Sequence, residues 1–287
     1  MPSEVKFRNY REHVATRVAA NNSMIALLAG ARLASHTLQL TIGSAQLLPA
    51  MFPSVKDIDR FNLVPDNARL LLDDADSSLA TVAVPFALSI HEDFVVGMLT
   101  LLSDFGVPIV PQGTNISAGS MHKLFFTSTG QTSPTSNLEL FHVIREMRNS
   151  QIHSGGVASS RLKGKIQSLS LPARSSWLRL TGQSYTDILD SDDRVVFTMG
   201  HMIASFAIVK QLGRDVNNAL ALFLTKSQWA EIAVADFAVD TAQPRNSPGW
   251  KRSLTGFARF NYGRISLSDT DLENASRTGG FWTAHNW

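Results

Sequence analysis

The chain has 287 residues, of which 44% are hydrophobic and 17% charged, and its formal net charge is +2. These proportions are ordinary for a globular protein with a real core, and such a small net charge does not by itself mark a nucleic-acid-binding protein. The absence of cysteine excludes disulfides, thiolate zinc sites and cysteine nucleophiles. No stretch approaches the roughly 18 to 20 uninterrupted apolar residues of a membrane span, and the polar start is unlike a secretory signal. We therefore expect a cytoplasmic protein with no membrane association.

The first 60 residues predict a helical addition to a larger domain. An amphipathic, alanine-rich run from Tyr10 to Ala34 predicts a helix, and the following "HTLQLTIGSAQLL" favours a strand or an irregular link because of its Thr and Ile content. Pro49 and Pro53 then mark a break. We assign residues 1–60 to this addition.

The main domain, which we place at residues 61–240, begins with a strongly helical pattern. Residues 65–106 predict one or two helices, with Asp66 or Asn67 as the N-cap and a kink or break at Pro85. Proline and glycine punctuate residues 107–120, "VPIVPQGTNISAGS", and this pattern indicates a loop.

A second helical pattern, "SPTSNLELFHVIREMRNSQIHSGG", follows that loop. Ser136 or Asn137 is its predicted N-cap, and the pair Gly155 and Gly156 is expected to end it. Its apolar residues recur at helical spacing and predict a buried face, which comprises Leu140, Phe141, Ile144 and Met147.

Two further helices complete the predicted domain. A basic stretch, "SSRLKGKIQSLS", and a short connection through Trp177 precede a long apolar helix. We expect that helix to start at residues 190–192, which supply its cap, and to end at Gly213. Another helix is predicted over residues 215–239. The predicted fold class is therefore all-α.

Residues 241–287 form a basic and aromatic C-terminal extension. Five cations and no carboxylate lie between Arg245 and Arg264, interleaved with four aromatic residues. The aromatic side chains could stack on bases while the cations neutralise phosphate. Alternatively, "RSLTGFARFNYGRISLS" alternates enough to form a hairpin packed on the helical body. We favour the packed extension with short β structure.

The segment "EMRNSQIHSGG", residues 146–156, gathers Arg148, Asn149 and His153 at the end of a helical pattern. At 100° per residue, Asn149 and His153 lie about 40° apart on an ideal helix, whereas Arg148 and His153 lie roughly 140° apart. Arg148 and His153 of one straight helix therefore do not meet. They converge on one phosphate if the helix deforms near its glycines, or if two copies of the helix face each other across a dimer axis.

Residues Arg148 to His153 fit the pattern Arg-Asn-x-x-x-His and resemble the motif of the HEPN (higher eukaryotes and prokaryotes nucleotide-binding) superfamily. The glycines after the histidine and the long apolar helix that follows are also similar to that family. The resemblance covers residues 65–240, most closely 134–213. It implies an antiparallel helical bundle, extended at both ends. It also implies a metal-independent endoribonuclease that works as a homodimer with the motif helices facing each other, in many members a toxin or phage-defence effector.

The residue types of the motif suit RNA cleavage without a metal or another cofactor. A base draws the proton from the 2′-hydroxyl, the oxygen attacks the adjacent phosphorus, and a cation stabilises the phosphorane, which leaves a 2′,3′-cyclic phosphate. Histidine can take or deliver a proton near neutral pH, and we assign that role to His153. The planar fork of arginine matches two phosphate oxygens, which suits Arg148 for transition-state stabilisation. The resemblance implies that Asn149 supports the histidine or the phosphate.

Further cations are weaker candidates for RNA binding, namely Arg145, Lys163, Lys165, Lys251, Arg252 and Arg259. The expected partners are RNA, a second copy of the chain and, for a toxin, a neutralising antitoxin protein. Three alternatives stay open. Arg148 and His153 can simply complement the dipole of a helix end. The chain can also be a non-catalytic dimeric binding or scaffold protein, or a helical regulator that binds nucleic acid through its basic tail.

The remaining polar residues give weaker signals. His91 and Glu92 lack a second histidine at metal-binding spacing, so that we expect no metal there. His201 is expected to be a hydrogen-bonded core or interface histidine, and His122 to lie in a loop with no visible partner. Glu146, three residues before Asn149, could orient that side chain, although we favour a solvated position for it.

Overall fold

The structure is a computed structural model that describes residues 4–287, and it confirms the all-α prediction. No β-strand occurs in that range, which contains only two isolated β-bridges, Val157 with Arg194 and Leu189 with Val195. The helices are α1 (Arg8–Leu38), α2 (Leu48–Met51), α3 (Pro65–Asp73), α4 (Ala75–Asp104), α5 (Met121–Thr129), α6 (Thr135–His153), α7 (Ser160–Gln167), α8 (Leu171–Thr181), α9 (Met199–Phe223), α10 (Lys226–Asp240), α11 (Pro248–Asn261) and α12 (Asp269–Thr278).

Two compact units divide the chain. The first unit comprises Met1–Thr16, Ser89–Leu138 and Val209–Trp287, and the second comprises Arg17–Leu88 and Glu139–Ile208. Helices α1, α4, α6 and α9 contribute residues to both units. The predicted segments 1–60 and 61–240 are therefore each divided between the units, whereas residues 241–287 belong to the first unit.

The first unit packs its C-terminal helices around a core rich in tryptophan. Buried core residues come from α10, α11 and α12 and the segment after them, and they are Ala230, Val234, Phe237, Trp250, Leu254, Ala258, Leu272, Ala275 and Trp282. The Trp250 ring lies 5.4 Å from the Phe237 ring and 5.9 Å from the Trp282 ring, measured between centroids. Contacts between large aromatic side chains therefore contribute to the packing of these C-terminal helices.

The C-terminal extension is helical, which corrects the predicted hairpin and short β structure. Helix α11 begins after Ser247, whose side chain accepts a hydrogen bond from the Trp250 N–H at 3.1 Å. Trp250, Leu254 and Ala258 recur every four residues and are all buried. The segment forms a helix because a helix makes its backbone hydrogen bonds internally. An isolated hairpin would instead leave backbone N–H and C=O groups unpaired along its edges.

The N-terminal segment is held in the first unit by buried polar groups. Asn217 is fully buried, donates to the Val5 carbonyl at 2.7 Å and accepts the Val5 N–H at 3.0 Å. Asp236 is also buried, and its two oxygens accept from the Arg11 guanidinium, each at 2.9 Å. The Tyr262 hydroxyl donates to Asp236 at 2.7 Å, and burial together with this carboxylate raises the pKa of Tyr262. Such pairing is what makes a buried carboxylate tolerable.

Three buried histidines lie together in the first unit. The Nε2 atoms of His91 on α4 and His122 on α5 are 2.9 Å apart, and the ring of His13 stacks on Phe94 at 4.4 Å. His122 therefore lies on a helix beside another histidine, which corrects its predicted place in a loop with no visible partner. Burial, reinforced by the two neighbouring histidines, lowers the pKa of His91, so that its neutral form is favoured.

Several helix boundaries differ from those predicted. Helix α3 starts at Pro65 with Val64 as its N-cap, instead of a cap at Asp66 or Asn67, and α4 continues through Pro85. The break between the two helices falls at Asp74. The predicted loop over residues 107–120 is confirmed.

The long apolar helix α9 starts at Met199, later than predicted, and passes through Gly213. The Asp190 side chain accepts the backbone N–H groups of Asp192 and Arg194, at 2.9 and 2.8 Å, and so caps a turn instead of a helix. A Cβ atom at Gly213 would lie 2.8 Å from His13 Nε2, which shows that this glycine serves close packing and not helix termination.

One helix in the described part of the chain, α4, is long and apolar enough to cross a membrane by length and composition alone. More than half of its most apolar window, 56%, is buried inside the protein. A buried core helix has the same length and composition, so that this pattern is weak evidence for a membrane span.

Candidate functional site

Helix α6 carries the motif, and its buried face is the predicted one. Leu140, Phe141, Ile144 and Met147 are each at most 1% exposed. Arg148 and Asn149 are half-buried, and His153, the last helical residue, is exposed. Burial of the apolar stripe therefore leaves the polar motif residues accessible at the end of the helix.

The two glycines after α6 form a turn that other residues hold in place. Gly155 and Gly156 have φ angles of 56° and 91°, the left-handed region that favours glycine. The Gly156 N–H donates to the Ser150 carbonyl at 3.0 Å. The Arg194 guanidinium donates to the Gly155 carbonyl at 2.6 Å, and the Val195 N–H donates to the Gly156 carbonyl at 2.8 Å. These hydrogen bonds fix the backbone conformation of the turn by which the chain leaves α6.

Helix α7 begins directly beside the motif. Ser159 is its N-cap, and the Ser159 side chain accepts the Leu162 N–H at 3.1 Å. The Ser159 N–H donates to the hydroxyl of Ser150 on α6 at 3.4 Å. This connection brings Arg161, in the first turn of α7, towards the end of α6.

A polar cavity of about 270 Å³ opens between these two helices. It is lined by Glu146, Asn149, Ser150, His153, Ser154, Ser159 and Arg161. Asn149 and His153 therefore share one cavity, which agrees with their predicted angular separation of about 40°. Arg148 is not part of this lining, in agreement with its divergence from His153 on an ideal helix.

Glu146 forms a buried network with its neighbours on α6. It is 3% exposed, which corrects the solvated position favoured for it. The Arg145 guanidinium donates to Glu146 Oε1 at 2.5 Å, and Asn149 Nδ2 donates to Oε2 at 3.5 Å. The other end of the Asn149 amide, Oδ1, makes no hydrogen bond within residues 4–287. The network therefore orients the amide and leaves its acceptor available.

The remaining cations of the second unit are partly engaged. Lys163 forms an ion pair with Asp193 at 2.6 Å, and the Arg145 side chain is only 12% exposed. Burial lowers the pKa of His142 to about 4, and the charges of Arg145 and Lys165 act in the same direction. His142 is therefore neutral near pH 7 and adds no positive charge to this surface.

The C-terminal candidates lie on α11 in the first unit. Lys251 Nζ is 5.4 Å from the centroid of the Trp287 ring, a cation–π contact within the extension. Arg252 and Arg259 are exposed. These three cations therefore belong to the first unit, whereas the motif residues belong to the second.

Arg161 and Glu146 are site residues that sequence reasoning missed or undervalued. The sequence signal for Arg161 is Ser159, a suitable N-cap that places the arginine in the first turn of a short helix. The signal for Glu146 is its position three residues before Asn149, which puts both side chains on one helix face. The prediction for His201 is confirmed, because it is 1% exposed and its Nδ1 accepts the Thr198 N–H at 3.2 Å.

Within residues 4–287, no group of three or more His, Cys, Asp and Glu side chains has a geometry that could hold a metal ion. Comparison of the chain with protein-family models, curated proteins and solved structures finds no match. The chemistry of the cavity is therefore inferred from its own residues.

Proposed function

We propose that the protein is a HEPN-like, homodimeric endoribonuclease that cleaves RNA without a metal ion and leaves a 2′,3′-cyclic phosphate. The observation that carries this proposal is the common cavity of Asn149 and His153, at the accessible end of a helix that bears Arg-Asn-x-x-x-His. The antiparallel HEPN-like bundle is part of the proposal. We further propose that the enzyme acts in the cytoplasm as a toxin or phage-defence effector and that an antitoxin protein neutralises it.

His153 is the proposed acid–base group. Its imidazole takes the proton of the 2′-hydroxyl, O2′ forms a bond to the adjacent phosphorus, and the bond from phosphorus to O5′ breaks. The protonated imidazole then gives its proton to the departing O5′, which becomes a 5′-hydroxyl, and His153 is neutral again. Asn149, oriented by Glu146, accepts a hydrogen bond at Oδ1 from the attacking hydroxyl or from the imidazole.

Arg148 is the proposed cation for the phosphorane, supplied by the second protomer. The side chain lies outside the cavity of its own protomer, and within residues 4–287 it forms no ion pair. Its Nε is buried and makes no hydrogen bond there. A twofold axis that brings the ends of two α6 helices together would place Arg148 of one copy against His153 of the other.

The first test is cleavage of RNA by purified protein in EDTA. Removal of a general base or a phosphate-stabilising cation costs about 10² to 10⁴ in rate, so we expect His153→Ala and Arg148→Ala to lose at least about 100-fold. Two exposed residues supply matched controls, His285→Ala and Arg179→Ala, and both should retain wild-type rates. Mass spectrometry identifies the cyclic phosphate.

The proposal fails if either motif variant still cleaves at the wild-type rate, or if cleavage requires a divalent metal. Dimerisation and RNA binding without any cleavage would instead favour the non-catalytic binding protein.

A second test separates a shared site from a site within one protomer. When Arg148→Ala and His153→Ala subunits exchange freely, half of the dimers are mixed, and each mixed dimer holds one intact shared site, so that about a quarter of the wild-type activity should return. If Arg148 and His153 of the same protomer act together, no mixed dimer contains an intact site. Absence of recovery would therefore contradict the shared arrangement.

A further inference from the structure

The cavity beside the motif contains an uncompensated cation from the neighbouring helix. Arg161 lines it together with Asn149 and His153, is exposed, and forms no ion pair or side-chain hydrogen bond within the described residues. Lys163, two residues later on α7, differs because Asp193 neutralises it at 2.6 Å. The charge of Arg161 is therefore available to bind an anion, whereas the charge of Lys163 is already paired with a carboxylate.

The charge of Arg161 is not cancelled by the cavity. Among the described residues that line the cavity, Glu146 is the only carboxylate, and it already pairs with Arg145 at 2.5 Å. The Ser159 cap fixes the first turn of α7 by accepting the Leu162 N–H, whereas the guanidinium of Arg161 forms no hydrogen bond or ion pair within the described residues. A planar guanidinium with free N–H groups matches two oxygens of a phosphate.

We propose that Arg161 binds a phosphate of the RNA within the cavity of its own protomer, beside the nucleotide whose 2′-hydroxyl His153 deprotonates. The inference rests on the proposed ribonuclease function, because it assigns the substrate phosphate to this site. Each protomer then supplies His153, Asn149 and one phosphate contact, and the partner subunit supplies only the cation for the phosphorane.

The test measures binding of a short oligoribonucleotide that carries a 2′-O-methyl group at every position and so cannot be cleaved. Fluorescence anisotropy with the full-length protein in EDTA, over a series of salt concentrations, gives the affinity and its salt dependence. Loss of one charge-assisted contact in Arg161→Gln should weaken binding about tenfold. The plot of the logarithm of the association constant against the logarithm of the salt concentration has a negative slope. The magnitude of that slope should decrease by about 0.7, the value for one phosphate contact on a single strand.

Two further variants control for charge and for surface electrostatics. Arg161→Lys should retain the salt slope because it keeps the positive charge. Arg179→Gln should change neither the affinity nor the slope, because that exposed arginine lies on α8 and is not part of the cavity lining. Wild-type affinity and slope in Arg161→Gln, an equal loss in Arg179→Gln, or wild-type protein that does not bind the probe would each overturn the inference.

Cleavage of unmodified RNA, measured in parallel, distinguishes failure of this inference from failure of the proposed function. Cleavage by the wild type together with unchanged binding by Arg161→Gln would refute only the role of Arg161. Binding that depends on Arg161 without any cleavage would refute the ribonuclease and leave the phosphate contact standing.

Discussion

Acidification from pH 7 to pH 5 should destabilise the protein, and His201 should account for a measurable share of the loss. His201 lies on α9 in the second unit, is 1% exposed, and its ring centroid is 5.2 Å from that of Trp177. Burial lowers the pKa of His201 to about 4, against the opposite influence of a backbone hydrogen bond at Val196. The folded protein therefore holds this imidazole neutral.

The direction of the effect follows from the two pKa values. The ordinary value of 6.5 applies to the unfolded chain, which therefore binds a proton before the folded protein does as the pH falls. The stability contributed by neutral His201 is present above pH 6.5 and is lost as the pH falls towards 4. Linkage gives a loss of about 2 kcal/mol at pH 5 and only about 0.2 kcal/mol at pH 7.

The assay compares wild-type protein with His201→Asn by urea unfolding, followed by the helical circular dichroism signal, at pH 7 and pH 5. An asparagine can still accept the Thr198 N–H but does not titrate. The variant should be less stable at pH 7, because its smaller side chain no longer fills the space beside Trp177. Between pH 7 and pH 5, however, it should lose about 2 kcal/mol less than the wild type.

An exposed histidine supplies the control. His285→Asn should show the same pH dependence as the wild type. The pKa values of His91 and His142 are also lowered by burial, so that the wild type loses more in total than His201 explains, and the comparison with His201→Asn isolates one site. If His201→Asn loses as much stability as the wild type between the two pH values, the reasoning is refuted.

Four substitutions, of which Gly155→Ala is a matched control, test other features of the structure by urea unfolding. Gly156→Ala should cost about 1–2 kcal/mol, because its φ of 91° is left-handed and the new methyl would crowd neighbouring side chains. Gly155→Ala, where a Cβ meets nothing within 4 Å, should cost less, and the reverse order would contradict this geometry. Glu146→Ala leaves the guanidinium of Arg145 without its partner, so that a loss of about 3–5 kcal/mol is expected, and a loss below about 1 kcal/mol would argue against a buried pair. Asn217→Ala leaves two buried backbone groups of the N-terminal segment unpaired, at about 2–5 kcal/mol. Amide exchange at the first described residues should accelerate accordingly, and unchanged protection would show that Asn217 does not hold the segment.

The motif helix was predictable because its signals are local. Apolar residues at helical spacing identified the buried face of α6, and two glycines marked its end. The angle between residues on a helix also predicted that Asn149 lies near His153 and that Arg148 diverges from it, and in the structure Asn149 but not Arg148 lines the cavity with His153. Each of these inferences needs only one helix, whose geometry is set by its own backbone hydrogen bonds.

The shorter and more polar helices were not predictable in the same way. Helix α5 has only nine residues and no side-chain cap, so that the local sequence contained no signal for a helix. His122, which lies on α5, was therefore predicted to be in a loop. The start of α9 was misplaced because an aspartate suits both a helix cap and a turn, and Asp190 forms the turn. The C-terminal extension was wrongly predicted to form a hairpin. A short run of apolar and polar residues can fit both the two-residue period of a strand and the 3.6-residue period of a helix.

The amino-acid sequence alone determined that the chain is helical, that a stripe of apolar residues buries one side of α6, and that Arg148, Asn149 and His153 stand at its end. Only the tertiary structure decided which side chains from other elements join them. Arg161 reaches the cavity because the turn at Gly155 and Gly156 and the hydrogen bond from Ser159 to Ser150 bring the start of α7 beside α6. The carboxylate of Glu146 is buried and accepts hydrogen bonds from Arg145 and Asn149. Such contacts depend on the path of the chain between helices, and helical periodicity carries no information about that path.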